Sequence, residues 1–314
     1  MLDKINEIVD LIKEYGFIYG LIVVLTSVSF RLFPDGKINH KFNNYKYKLV
    51  SNYLNKYYSD VIKRYKNIDR MKEKTNNLKT SKIIWLFWWQ GENEAPKVVK
   101  ACINSVKKNA GNNKVIILNK DNYLDYIRIP VNIIKKVKQH KISITHLSDI
   151  LRFCLLAEYG GIWIDSTVFV NDNLNDVTNY DFYTVKHGLF SDWHVSRGLW
   201  STFFLESKKS NVGIQLVRDI LIEYAQNEKR WMAYLLTDAV IGIAYDNIPS
   251  FKMQVDDVPW NNSEVFNMYD ELNLDVSLFK IPSKINKLTY KFDETKYRKS
   301  KNSAYYYLIN NKLK

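Results

Sequence analysis

Cysteine is nearly absent from this chain of 314 residues and histidine is sparse, with two of the first and five of the second. Cys102 and Cys154 both fall inside apolar helical spacing, so they read as small buried hydrophobes and not as a disulfide or a metal pair. Nothing in that usage demands an oxidising compartment. No apolar run reaches the roughly 20 residues that a spanning helix needs. No small-residue cleavage site of the A-x-A kind follows the N-terminal apolar stretch, which argues against a secretory signal. There is no internal repeat and no low-complexity tract. Acidic residues are outnumbered, 33 against 46 Lys and Arg. Aromatic residues are plentiful instead, at 14% of the chain with 22 Tyr and 8 Trp. Disorder needs the opposite composition, so most of the chain is expected to fold. Its length suits one large α/β domain with an added helical piece.

The net charge of +13 is unevenly spread. Residues 37–82 hold 13 Lys/Arg against 3 Asp/Glu, a local excess of +10. A uniformly basic domain points to nucleic acid, whereas a basic block beside an apolar segment points to anionic lipid. The apolar segment is residues 16–30, fifteen positions without a charge. Its length lies between that of a core helix and that of a span. A shallow, monotopic anchor is the favoured reading and a buried packing helix the alternative. Residues 45–75 read as one long basic amphipathic helix, in which Leu54, Tyr57, Val61, Tyr65, Ile68 and Met71 recur every three or four positions. Residues 74–81 read as a linker. The expected division is a helical N-terminal region over 1–81 and a main domain over 82–314.

The main domain opens with the apolar, aromatic run 82–88, read as a buried strand. Trp85, Phe87 and Trp89 are expected to face the core, because alternate strand residues point opposite ways. A helix over 95–109, a strand over Lys114–Leu118 and a short helix over 131–137 follow. With the helix and strand described next, the order β-α-β-α-α-β predicts an α/β fold with a mostly parallel, doubly wound sheet. Further on, 182–185 and 198–205 read as strands, and 213–225 and 231–245 as helices.

The densest signal is Ser148-Asp149-Ile150-Leu151-Arg152, followed by Tyr159-Gly160-Gly161-Ile162-Trp163-Ile164-Asp165-Ser166-Thr167. Leu147, Ile150, Leu151, Cys154, Leu155 and Ala157 have helical spacing, with Ser143 or Thr145 placed to cap the start. Asp149 and Arg152 are three apart and share a helix face. Gly160-Gly161 ends the helix, with one residue expected at positive φ. Ile162-Trp163-Ile164 then enters a strand that ends on Asp165. A carboxylate at the carboxyl end of a strand is where an open α/β sheet meets its ligand. The alternative is an ordinary αβ connection in which Asp165 caps the next element.

Residues 82–170 resemble the capsular polysaccharide synthesis glycosyltransferases. They are similar more broadly to the DXD sugar-binding region shared by the initiating mannosyltransferases and the large clostridial toxins. The likeness is carried by Ile84-Trp85 through Trp88-Trp89-Gln90-Gly91, by Ala101-Cys102-Ile103-Asn104-Ser105, and by the two segments just quoted. Weaker similarity continues at Thr237-Asp238 and Asn286-Lys287-Leu288-Thr289. The resemblance implies a GT-A fold and a hexosyltransferase that moves sugar, with retention, from a UDP-sugar. It sets Trp88 against the base, and Asp149, Arg152 and Trp163 in the donor site. Asp165 and Thr167 would bind the Mn²⁺ or Mg²⁺ that bridges the diphosphate. For Lys287, Thr289 and Lys291, a C-terminal flap closing over the diphosphate and a solvated basic strand are both open readings. Asp165 and Asp238 are the acids given catalytic roles. Thr167 stands where a strict DXD motif has its second carboxylate, and a hydroxyl is the weaker ligand.

His187 and His194 flank an aromatic-rich loop, for which acceptor contact and ordinary loop placement are both open. The expected partners are a nucleotide-sugar donor, a lipid-linked glycan acceptor and an anionic membrane surface, and not nucleic acid. The expected place is peripheral or monotopic at the cytoplasmic face of the plasma membrane. A phosphosugar transferase and a non-catalytic nucleotide-sugar-binding protein are the rival readings.

Overall fold

The computed structural model describes residues 2–33, 36–71, 81–188, 194–291 and 300–313. Its main sheet comprises β1 (Ile83–Phe87), β2 (Lys114–Leu118), β3 (Gly161–Ile164), β5 (Phe182–Thr184) and β6 (Phe204–Ser207), in the order β2-β1-β3-β6-β5. A separate ribbon pairs β4 (Val168–Val170) with β7 (Ile285–Lys287). β1 runs parallel to β2 and β3, while β6 runs against both β3 and β5. The parallel inner strands β1 and β3 are near-continuous apolar runs, as strands covered on both faces must be. Trp85 and Trp163 are buried in them, and Phe204 in β6. The fold is thus mixed α/β with a mostly parallel sheet, as the order of elements predicts.

The route of the chain creates a ligand position. From β1 it passes through α5 (Lys97–Asn109) to β2 on one side. It returns through α6 (Val131–Lys138) and α7 (Ile144–Glu158) to β3 on the other side of β1. The strand order therefore reverses at β1, and the carboxyl ends of β1 and β3 face a topological switch point.

Four helices precede the sheet: α1 (Leu2–Tyr15), α2 (Phe17–Leu32), α3 (Lys37–Tyr57) and α4 (Ser59–Met71). After it come α8 (Val212–Asn227), α9 (Leu236–Asn247), α10 (Pro249–Asp257), α11 (Asn267–Glu271) and α12 (Ala304–Ile309). The helix expected over 45–75 is broken at Tyr58 (φ −112°, ψ 21°), and residues 72–80, with most of the expected linker, lie outside those described. The break lets α3 pack on α9 while α4 packs on α8. Tyr53 donates to Glu228 Oε1 at 2.6 Å and Tyr65 to Asp219 Oδ2 at 2.6 Å, anchoring the two arms separately.

α2 is packed along one face, as the packing-helix alternative has it, and exposed along another. Tyr19, Gly20, Ile22 and Ser29 are buried, while Phe17, Ile18, Leu21, Leu25, Val28 and Leu32 form an exposed stripe. No helix among the described residues is long and apolar enough to cross a membrane.

Two further boundaries differ from expectation. The strand expected over 198–205 begins only at Phe204, because Arg197 (φ 53°) and Gly198 (φ 76°) turn the chain in the left-handed region. The helix expected from 231 begins at Leu236. Upstream of it, the N–H groups of Met232 and Leu235 donate to the hydroxyls of Tyr224 (3.0 Å) and Tyr47 (3.2 Å) instead of to helical carbonyls.

Candidate functional site

α7 starts where Ser143 Oγ accepts from His146 N–H at 3.1 Å, a side-chain N-cap. It ends at Gly160 (φ 71°) and Gly161 (φ 96°), so both glycines take the positive φ expected of one. Space excludes a side chain as well. A Cβ on Gly161 would lie 2.4 Å from Ile83 O, and one on Gly160 2.5 Å from Lys209 N. The tight turn lets β3 lie against β1 with Trp163 opposite Trp85. Past the end of β3, Asp165 N–H donates to Phe203 O (2.9 Å) and Ser166 Oγ to Phe87 O (2.8 Å). The Asp165 backbone is therefore fixed on both sides.

Around Asp165 the side chains form one connected set. Arg152 Nη1 donates to Asp149 Oδ1 at 2.6 Å, and its Nη2 reaches Asp165 Oδ1 at 3.1 Å. Trp163 Nε1 donates to the same Oδ1 at 3.0 Å. The Arg152 guanidinium also lies 5.1 Å from the centre of the Trp163 ring. From β7, Lys287 Nζ donates to Asp165 Oδ2 at 2.7 Å and to Thr167 Oγ1 at 2.8 Å. The Arg152 side chain is 4% exposed, against 27% for Asp165 and 22% for Lys287. Burial opposes the charge on Asp165. The Lys287 and Arg152 cations and the Lys287 and Trp163 hydrogen bonds outweigh it, and hold the carboxyl well below the usual carboxylate range. For Arg152, burial is likewise overcome by Asp149 and Asp165, and its pKa is raised.

These groups face a cleft of about 560 Å³. Of the residues singled out in the sequence, Trp88, Arg152, Trp163, Asp165, Thr167, Lys287, Thr289 and Lys291 all line it. Trp88 meets Tyr290 edge to face, with centroids 5.4 Å apart. Trp85 and Phe87 belong to the core and Trp89 packs against it, as expected; Phe87 and Trp89, at and just past the end of β1, line the cleft as well. Ser148, Thr145 and Tyr234 complete the wall without having been singled out for it. Ser148 belongs to the S-D-x-x-R segment and lies one turn before Arg152, a usable signal; Tyr234 gave none.

Asp149 and Asp238 are not on the wall. Asp149 backs Arg152; burial pushes its carboxyl upward against the pull of that guanidinium. Asp238, on α9, accepts from Trp200 Nε1 at 3.1 Å and is 6% exposed. Burial and then the Asp149 charge push its pKa up to about 7. His187 and His194 also stand off the cleft wall, and residues 189–193 between them lie outside those described.

Whether Asp165 and Thr167 fit a divalent cation is a question of free oxygen lone pairs. Among the described residues Asp165 is the only carboxylate on the cleft wall, and both its oxygens already accept from cations. The Thr167 hydroxyl accepts from the same ammonium. Among the described residues no three His, Cys, Asp or Glu side chains gather as a metal site. This donor set does not fit a resident divalent cation.

The capsular polysaccharide synthesis protein family matches residues 31–308, which spans α3, α4, the sheet and the cleft. The chain belongs to that family. Membership assigns it to capsular polysaccharide synthesis, in a glycosyltransferase-like role. No curated protein matches the chain.

Proposed function

We propose that the cleft is a nucleotide-sugar site on a GT-A-type fold, and that this family member transfers a hexose from a UDP-sugar to a lipid-linked glycan acceptor, with retention. The observation that carries the reading is the cleft's charge. At the carboxyl ends of β1 and β3, the described residues of the wall present three cations, Arg152, Lys287 and Lys291, against one carboxylate, Asp165. A diphosphate is the anion such a wall suits, and Trp88 beside it offers a ring for a base. Stacking of that kind contributes roughly 1–3 kcal/mol per base in single-strand binding proteins.

In the transfer, the bond from the anomeric carbon to the distal phosphate oxygen breaks, and its electron pair leaves with the diphosphate. The acceptor hydroxyl oxygen bonds to that carbon from the same face, and its proton passes to the departing phosphate oxygen. No enzyme nucleophile takes part, in keeping with a cleft whose one carboxylate among the described residues is occupied by cations. Preorganised cations beside the developing charge are the main catalytic contribution of the protein.

Two features support a lipid-linked acceptor at an anionic membrane. The exposed stripe of α2 borders a groove that also includes Lys41, which combines apolar contact with positive charge. A cavity of about 740 Å³ between α1, α2 and α3 reaches Leu235, next to Tyr234 on the cleft wall, and gives room for a lipid chain. The test is incubation with UDP-sugars and a lipid-linked glycan, followed by mass spectrometry and NMR. The expected products are UDP and an acceptor heavier by one hexose. UMP with a sugar phosphate on the acceptor would replace the reading with phosphosugar transfer. Donor binding without turnover would replace it with a binding protein.

A further inference from the structure

The pair expected to hold a metal, Asp165 and Thr167, instead holds an ammonium group. Lys287 is 122 residues from Asp165 in sequence, and the β4–β7 ribbon brings it there with Val168 opposite Lys287. Its backbone is fixed at the same point. Lys287 N–H donates to Val265 O at 2.7 Å, and Leu288 N–H donates to Thr167 O at 2.8 Å. The side chain then spans from that register to both oxygen groups, at 2.7 and 2.8 Å. Arg152 flanks the other oxygen of Asp165. Two fixed monocations thus bracket the carboxylate and together supply the charge of one divalent ion. Unlike that of the deeper Arg152, the Lys287 side chain is partly exposed and lines the cleft.

We propose that Lys287 is the protein's own cation for the departing diphosphate, standing in the place where related enzymes are expected to use a metal. This rests on the nucleotide-sugar reading of the cleft. Asp165 then acts as a positioning residue that orients Lys287 and Arg152, while Thr167 fixes the ammonium and turns its hydroxyl proton to a phosphate oxygen. As the bond from the anomeric carbon breaks, the electron pair moves onto the phosphate oxygen beside Lys287 Nζ. The lysine keeps its proton and stabilises the charge by a charge-assisted hydrogen bond. No external ion enters the balance.

Calorimetric titration with UDP, in EDTA and again in Mn²⁺, tests this on the wild type, Lys287→Met and Lys287→Arg, each checked for its folded state by circular dichroism. The expected wild-type affinity is the same in both buffers. Lys287→Met is expected to bind about ten- to a hundredfold more weakly in EDTA, the loss of one hydrogen bond to a charged group, and Lys287→Arg to recover most of the affinity. Wild-type binding that requires Mn²⁺ overturns the proposal and leaves the donor site standing, as does undiminished binding by folded Lys287→Met. If Lys287→Met does not fold, the wild-type comparison and Lys287→Arg still decide. UDP binding in neither buffer, by folded wild-type protein, overturns the donor-site reading and this proposal with it.

Discussion

Asp165, half-buried on the cleft wall, and Asp238, buried behind it, both lie near α7, yet they are in opposite electrostatic situations. Asp165 receives two cations and an indole N–H, and its carboxyl is held far down. Asp238 receives one indole N–H, feels the like charge of Asp149 and is pushed up to about 7. Glu206 on β6 is the extreme case: fully buried, with no partner for either oxygen among the described residues, and pushed well above the usual range. Burial raises a carboxyl, and the donors around it decide whether it stays charged. Asp165 on the cleft wall is held in its charged form, whereas Asp238 and Glu206 are pushed toward the neutral one. A site that has to meet an anion needs the first arrangement.

The largest way to break this contrast is to remove Arg152. Arg152→Met leaves Asp149 without its cation and Asp165 with Lys287 alone, and urea unfolding is expected to show a loss of about 3–5 kcal/mol. A loss below about 1 kcal/mol would mean that the two acids do not depend on the guanidinium.

Asp238 sharpens the contrast through pH. Its folded pKa lies above the unfolded value of about 3.9, so the folded state keeps an extra proton between about pH 4 and 7, and stability falls as pH rises through that window. Relative to Asp238→Asn, the wild type is expected to lose on the order of 2 kcal/mol between pH 5 and 7, with parallel curves above pH 8. Parallel curves throughout would show Asp238 ionised in the fold, like Asp165.

The smallest stability effect is expected on the exposed face of α2. Phe17→Ser with Leu21→Ser should change unfolding by no more than about 0.5 kcal/mol. The same pair of changes should cut co-sedimentation with anionic vesicles several-fold. Undiminished vesicle binding would remove this stripe from the membrane reading.

The parts of the fold legible in the sequence are those governed by local pattern. The helical spacing around Leu151, the Ser143 cap, the glycine pair and the short apolar strands each state their own structure, and they suffice to place Asp165 at a strand end. The break at Tyr58 was not legible, because the apolar spacing continues through it; only packing on two separate helices, α8 and α9, requires the bend. The late starts of β6 and α9 depend on a left-handed turn and on distant tyrosine hydroxyls. At the site, the residues from 88 to 167 were legible as a set. The grip of Lys287 on Asp165 was not, since it depends on strand pairing between segments more than a hundred residues apart.

The most direct test of the central claim is thermal unfolding of the purified protein with a panel of nucleotide sugars, on the wild type and on Trp88→Ala. At 100 times its dissociation constant, a donor that binds the folded state should stabilise it by about 2.7 kcal/mol. The account predicts that a UDP-sugar produces such a shift and that Trp88→Ala loses most of it. No shift with any nucleotide sugar in folded wild-type protein, or an equal shift in Trp88→Ala, would contradict a donor site at the ends of β1 and β3.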